Sequence, residues 1–208
     1  MDLPLFPLNA VLFPGGIVPL RVFETRYMDM VRDCLRDASP FGVCLIARGH
    51  EVGETAQPEA VGCVAEIDAW DMPQLGVLHV RARGRERFKI EATSLQANGL
   101  LRGSVDLLDP DEDLPIGAAH QPCAELLQRI ITDLEAKNAG RPADQPGGPD
   151  TMPFMAPYRL DSSVWVGNRL CEVLPIPLKA KQRLMELDDA KTRLDIVAQY
   201  LKQHAVIK

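Results

Sequence analysis

Four stretches near the amino terminus decide how this chain is read: Leu3-Pro4-Leu5-Phe6-Pro7-Leu8, Val11-Leu12-Phe13-Pro14-Gly15, Pro19-Leu20-Arg21-Val22-Phe23-Glu24, and Arg26-Tyr27. From Leu3 to Leu20 the only strongly polar side chain is Asn9. So apolar a run imitates a membrane signal. Yet Pro4, Pro7, Pro14, Pro19, Gly15 and Gly16 interrupt it, and a proline inside a helix costs about 3 kcal/mol. No spanning helix is expected here. Asp2 stands where a secretory signal would carry positive charge, so a cytoplasmic location is expected. The run breaks instead into short β segments, Leu3–Leu8 and Ile17–Val22, whose prolines suit an edge or a bulge.

Working outward, the same texture continues to about residue 109. Strands are predicted over Phe41–Ala47, Val61–Trp70, Gly76–Arg83, Arg87–Ser94 and Leu100–Leu107, short runs rich in Val and Ile between turn residues. Gly84 suits a hairpin turn between two of them, and Asn98-Gly99 is a stronger turn signal. One helix, Thr25 to about Asp37, carries Tyr27, Met30, Val31, Cys34 and Leu35 at i, i+3, i+4, i+7, i+8.

Beyond residue 110 the period changes. Pro122 suits a first helical position. Cys123, Leu126, Leu127, Ile130, Ile131 and Leu134 then form one helical face, with Gly140 suited to its end. Residues 139–157 are too rich in Pro and Gly for helix or central strand and read as a linker. Helices are predicted over 161–174 with Asp161 as N-cap, after Pro177 with Ala180, Leu184 and Leu187, and through Leu194, Val197, Ala198 and Leu201. Asp189 and Arg193, one turn apart, can pair at the start of the last helix. This gives an α+β chain of two parts, 1–109 and 110–208.

The 208 residues carry a net charge of −6 and a pI of about 5.3, a balance that disfavours general nucleic-acid binding. Hydrophobic residues make up 46%, enough for a real core at this length. Cys34, Cys44, Cys63, Cys123 and Cys171 form no C-x-x-C pair and read as buried small hydrophobes in a reducing compartment. No Gly-Lys dipeptide occurs, so there is no phosphate loop, and no G-x-S-x-G elbow. His50-Glu51 lacks its second histidine, since Glu54 stands there. Asp109, Asp111, Glu112 and Asp113 lack Ca²⁺-loop spacing and read as a solvated connector. The chain is therefore expected to be no enzyme, with no cofactor and no metal.

Two features could bind a macromolecule. Arg81, Arg83 and Arg85, with Arg87, alternate along a strand and could face RNA phosphates; the competing reading is a solvated sheet face paired with Glu66, Glu86 and Glu91. The apolar stretch Met152-Pro153-Phe154-Met155-Ala156-Pro157-Tyr158 suits adaptable contacts with apolar partners, or a lid folded on the core. Trp70 and Met72, at a strand end before Pro73, carry the same two readings. Candidate peptide-binding residues are thus Trp70, Met72, Met152, Phe154, Met155 and Tyr158.

The four amino-terminal stretches resemble the opening of the Lon protease N-terminal domain. Phe41-Gly42-Val43 and Val61-Gly62-Cys63 are similar to its next strands, and Gly84 with Arg87-Phe88-Lys89-Ile90 to its G-x-x-R-F hairpin. Leu174-Pro175, Lys181-Gln182, Leu184, Glu186 and Arg193-Leu194 resemble its helical half. The resemblance implies a PUA-like β-barrel followed by a C-terminal helical bundle. It further implies substrate recognition and support of oligomer assembly, in a protease whose AAA+ ATPase and Ser-Lys peptidase follow this part. Neither engine lies in the present residues, so the resemblance implies a stand-alone module that binds unfolded segments or a partner protein. The PUA-like barrel, also used for RNA, keeps an RNA-binding alternative through Arg81, Arg83 and Arg85.

Overall fold

The computed structural model describes residues 1–53, 56–139 and 152–207. Gly140 and most of the Pro/Gly linker lie outside them. Two compact units divide the chain: Met1–Pro110 with Pro177–Gln182, and Asp111–Ile176 with Arg183–Lys208.

The first unit is a mixed sheet. Its strands are β1 (Asp2–Leu8), β2 (Ile17–Val22), β3 (Phe41–Arg48), β4 (Gln57–Gln74), β5 (Val77–Leu95) and β6 (Leu101–Leu107). β1 runs parallel to β3, with Leu5 opposite Gly42, and antiparallel to β6, with Leu3 opposite Gly103. β4 pairs with β3 and β5, while β5 also pairs with β2 and β6. The hydrogen-bonded path β5–β4–β3–β1–β6 thus returns to β5, with β2 on the flank.

Gly84 is not a hairpin turn. β5 runs straight through it, so the two strands expected on either side are one. A Cβ there would lie 2.4 Å from the Phe13 carbonyl oxygen. Glycine is required by that close approach of backbone. The Gly84 N–H donates to the Gly16 carbonyl at 2.8 Å, and its carbonyl accepts from the Gly15 N–H at 2.9 Å. The real hairpin joins β4 to β5 at Leu75-Gly76, where Gly76 has φ +82°. Asn98-Gly99 does make its turn, with Gly99 at φ +81° and its N–H donating to the Gln96 carbonyl.

Two apolar clusters fill the sheet unit. One gathers Leu3, Leu5, Cys44, Val64, Phe88, Leu101 and Val105. Gly42 and Gly62 leave room for the Phe88 ring, since a Cβ on either would lie within 2.7 Å of it. The other packs helix α1 (Thr25–Asp37) on the strands through Tyr27, Met30, Val31 and Cys34. Phe6 stacks on Tyr27 with ring centroids 4.1 Å apart. Ala38 ends α1 in the left-handed region at φ 47°. Buried Arg26 donates to the Glu24 carboxylate and to the Gly53 and Gly99 carbonyls, tying the helix start to two loops. Gln182, from the returning Pro177–Gln182 segment, is buried and donates to the Val61 carbonyl of β4 at 3.0 Å.

The second unit contains α2 (Gln121–Asn138), α3 (Ser163–Val173) and α5 (Ala190–Gln203), and α4 (Leu178–Glu186) crosses the division between the units. Cys123, Leu127 and Ile131 are buried on α2, Val166, Leu170 and Cys171 on α3, and Leu194, Val197 and Leu201 on α5. The α3 N-cap is Ser162 rather than Asp161; its hydroxyl accepts from the Trp165 N–H and donates to Asp113 at 2.6 Å. Asp189 does not pair with Arg193 but caps α5, accepting from the Lys191 and Thr192 N–H groups. Arg193 turns inward instead. It donates to Asp111 at 2.6 Å, Asn168 at 3.0 Å, and the Leu184 and Leu187 carbonyls. A buried guanidinium gains more from a buried carboxylate and two carbonyls than from an exposed cap. Among the described residues no helix is long and apolar enough to cross a membrane.

Candidate functional site

The far half of the β4–β5 hairpin carries large apolar side chains out of the sheet. Beyond Ala65, β4 pairs with β5 alone. Trp70 is 55% exposed, Met72 41%, and Leu75 at the turn 93%. Opposite Trp70 across the ladder is Val80, and opposite Val80 is Leu20 of β2, both buried. Trp70 therefore continues, in the open, a cross-strand row that begins in the core. Leu75 was missed in the sequence. The signal was Gly76 after Pro73, which suits a tight turn at Leu75-Gly76.

A concave groove of about 310 Å³ opens beside β2 in the same unit. Phe6, Leu8, Leu20, Val22 and Tyr27 line it, and exposed Phe23 flanks it. Phe6 is buried, whereas Phe23 is 51% exposed.

The remaining apolar candidates lie in the second unit. Phe154 is only 2% exposed and packs on Trp165, ring centroids 6.4 Å apart. It is an anchor for its own segment and is not available to a ligand, which corrects the expectation for this residue. Tyr158, half-buried, also packs on Trp165 and donates its hydroxyl to Glu135 at 2.8 Å. Burial, then that bond and the charge of Glu135, push its hydroxyl up to about 12. Met152 accepts from the Asn138 amide, and Met155, like Met152, is partly buried.

The arginine row is occupied. Asp68 takes Arg81 at 2.9 Å and Arg83 at 3.4 Å, and Glu66 takes Arg85 at 2.5 Å. Asp68 was not among the partners expected. It lies near both because β4 bulges between Ile67 and Ala69.

All five cysteines are buried, and burial raises the Cys34, Cys44 and Cys123 thiols, the last to about 11, away from the thiolate a nucleophile needs. His120 contacts Asp195 at 2.6 Å and links the turn before α2 to α5. No cluster of metal-ligating side chains occurs among the described residues.

Residues 2–203 match the family model for the ATP-dependent protease La (LON) substrate-binding domain. The chain belongs to the Lon substrate-binding domain family. A crystal structure of a Lon N-terminal domain protein from Xanthomonas campestris is 36% identical, with a TM-score of 0.74, covering 96% of this chain and 98% of that one. The N-terminal domain of Mycobacterium avium complex Lon protease shares the fold at 16% identity and a TM-score of 0.62, covering 98% and 100% of the two chains. Lon protease of Anaeromyxobacter dehalogenans is 23% identical over 97% of this chain and 23% of its own length. Protein cereblon of Danio rerio is 30% identical over 55% of this chain and 27% of its own. The chain thus spans about a quarter of the length of these curated relatives. The Lon substrate-binding domain is a non-catalytic recognition domain of mixed α+β fold, and the match includes no ATPase or peptidase region.

Proposed function

We propose that this chain is a recognition module that holds exposed apolar peptide segments, or an apolar surface of a partner protein, without transforming them. The observation that carries this reading is the open apolar row Trp70, Met72 and Leu75 on the β4–β5 hairpin. A solvent-facing tryptophan and methionine beside a core row are what a surface for varied apolar partners requires. Met152, Met155 and Tyr158 form a second, half-covered candidate surface. Contacts of this size are weak once ordering costs are subtracted, and weakness suits promiscuous capture. The closed strand path supports reading the first unit as a PUA-like β-barrel, and the buried faces of α2, α3 and α5 support a helical bundle after it. The RNA-binding alternative is disfavoured by the carboxylates that hold Arg81, Arg83 and Arg85.

The test is fluorescence anisotropy with a labelled, permanently unfolded protein. Trp70→Ser and Met72→Ser together should weaken binding at least about tenfold, as for anchors at a hot spot. Unchanged binding would remove this surface, and a matching loss in Met155→Ser with Tyr158→Ser would move the site to the second unit.

A further inference from the structure

Beside the exposed hairpin, two strand flanks have no further sheet partner among the described residues, β2 and β4 beyond Ala65, and both carry a feature that hinders another strand from joining. Among the described residues β2 pairs on one side only, with β5. Its register is unbroken: Val18 lies opposite Ala82, Pro19 opposite Arg81, and Leu20 opposite Val80. Gly84, next in line on β5, directs its N–H and carbonyl to the Gly15–Gly16 segment. By strand alternation Ala82, Val80 and Leu78 do the same toward β2. Ile17, Pro19 and Arg21 therefore aim their backbone groups at the open side. The central one is a proline, which has no N–H to give. Pro19 costs the sheet no internal bond there, and it removes the donor an added strand would need.

The second flank is β4 beyond Ala65. It bulges between Ile67 and Ala69 and again between Asp71 and Gln74, with Pro73 inside the second irregularity. The Met72 N–H is taken by the Asp71 carboxylate at 2.7 Å. Bulges, a proline and a capped donor are the recognised means of blunting a sheet edge.

We propose that the unit grips apolar segments by their side chains and not by strand addition at β2 or outer β4, with Pro19 and Asp71 guarding these two edges. This rests on the recognition reading above. The occupant it commits to is an apolar peptide whose backbone stays outside the ladder.

Two measurements test it. The first compares a labelled decapeptide alternating Phe and Ser with the same peptide N-methylated at every second residue. Side-chain capture keeps the two affinities within about threefold. Strand addition would cost the methylated form at least about tenfold, through lost main-chain bonds, and would overturn the proposal. The second needs no ligand. Pro19→Val, checked for folding by circular dichroism, should raise the mass seen by light scattering above wild type at equal concentration, as copies pair edge to edge. An unchanged mass in Pro19→Val and in Pro19→Val with Asp71→Ala would show that these residues guard nothing. If neither peptide binds, the recognition reading fails while the mass measurement still decides the guards.

Discussion

Arg193 shows how one side chain can hold a unit together. It and Asp111 are only 1% and 3% exposed at the side chain, and its other bonds go to Asn168, to the Leu184 carbonyl in the last turn of α4, and to the Leu187 carbonyl just after it. Removing one member of such a pair strands the other charge in the interior. Arg193→Met should destabilise the protein by about 3–5 kcal/mol, read as a lower urea midpoint. Asp111→Leu added to it should restore much of the loss. The sequence put Arg193 beside Asp189 because helical spacing sees neighbours only along one element. A contact with Asp111, 82 positions away, leaves no local trace. The buried Phe154 was misjudged for the same reason: its partner Trp165 was not read as one.

At the scale of elements, the caps set where the helices begin. Asp189 accepts from the Lys191 and Thr192 N–H groups and from the Thr192 hydroxyl. Those bonds hold its carboxyl below the usual aspartate range. With the folded value below the unfolded one, its stabilisation is complete above the unfolded value and is lost as pH falls through the folded value. Asp189→Asn should therefore melt earlier than wild type at pH 7, and the gap should close as pH falls below about 4, the ordinary aspartate value. Thermal melts at falling pH check it. Helix α1 and strand β2 were legible to the residue, because strong periodicity and turn residues bound them on both sides. β4 and β5 were not. The outer end of β4 runs on past Trp70 as a row of exposed residues with no buried face to mark it, and Gly84 reads as punctuation unless the chain passing over it is known. Trp70 and Met72 were legible as large apolar residues near a break; their exposure was not, because only the pairing shows that β4 has lost its second neighbour.

At the scale of the whole molecule, the sheet unit is not one continuous piece of sequence. It takes Pro177–Gln182 after the chain has passed through Asp111–Ile176. Gln182 secures that return by its bond to Val61. Gln182→Ala should cost about 1 kcal/mol, the net value of such a bond, and hydrogen exchange should quicken in β4 around Val61–Val64 while α5 stays protected. An unchanged β4 would mean the segment only rests on the sheet. The arrangement also orders events during synthesis, when domains tend to form from the amino terminus onward. The last piece of this unit, the start of α4, emerges from the ribosome only after Asp111–Ile176 has been made. Until then the nascent sheet lacks the Gln182 donor at the Val61 carbonyl.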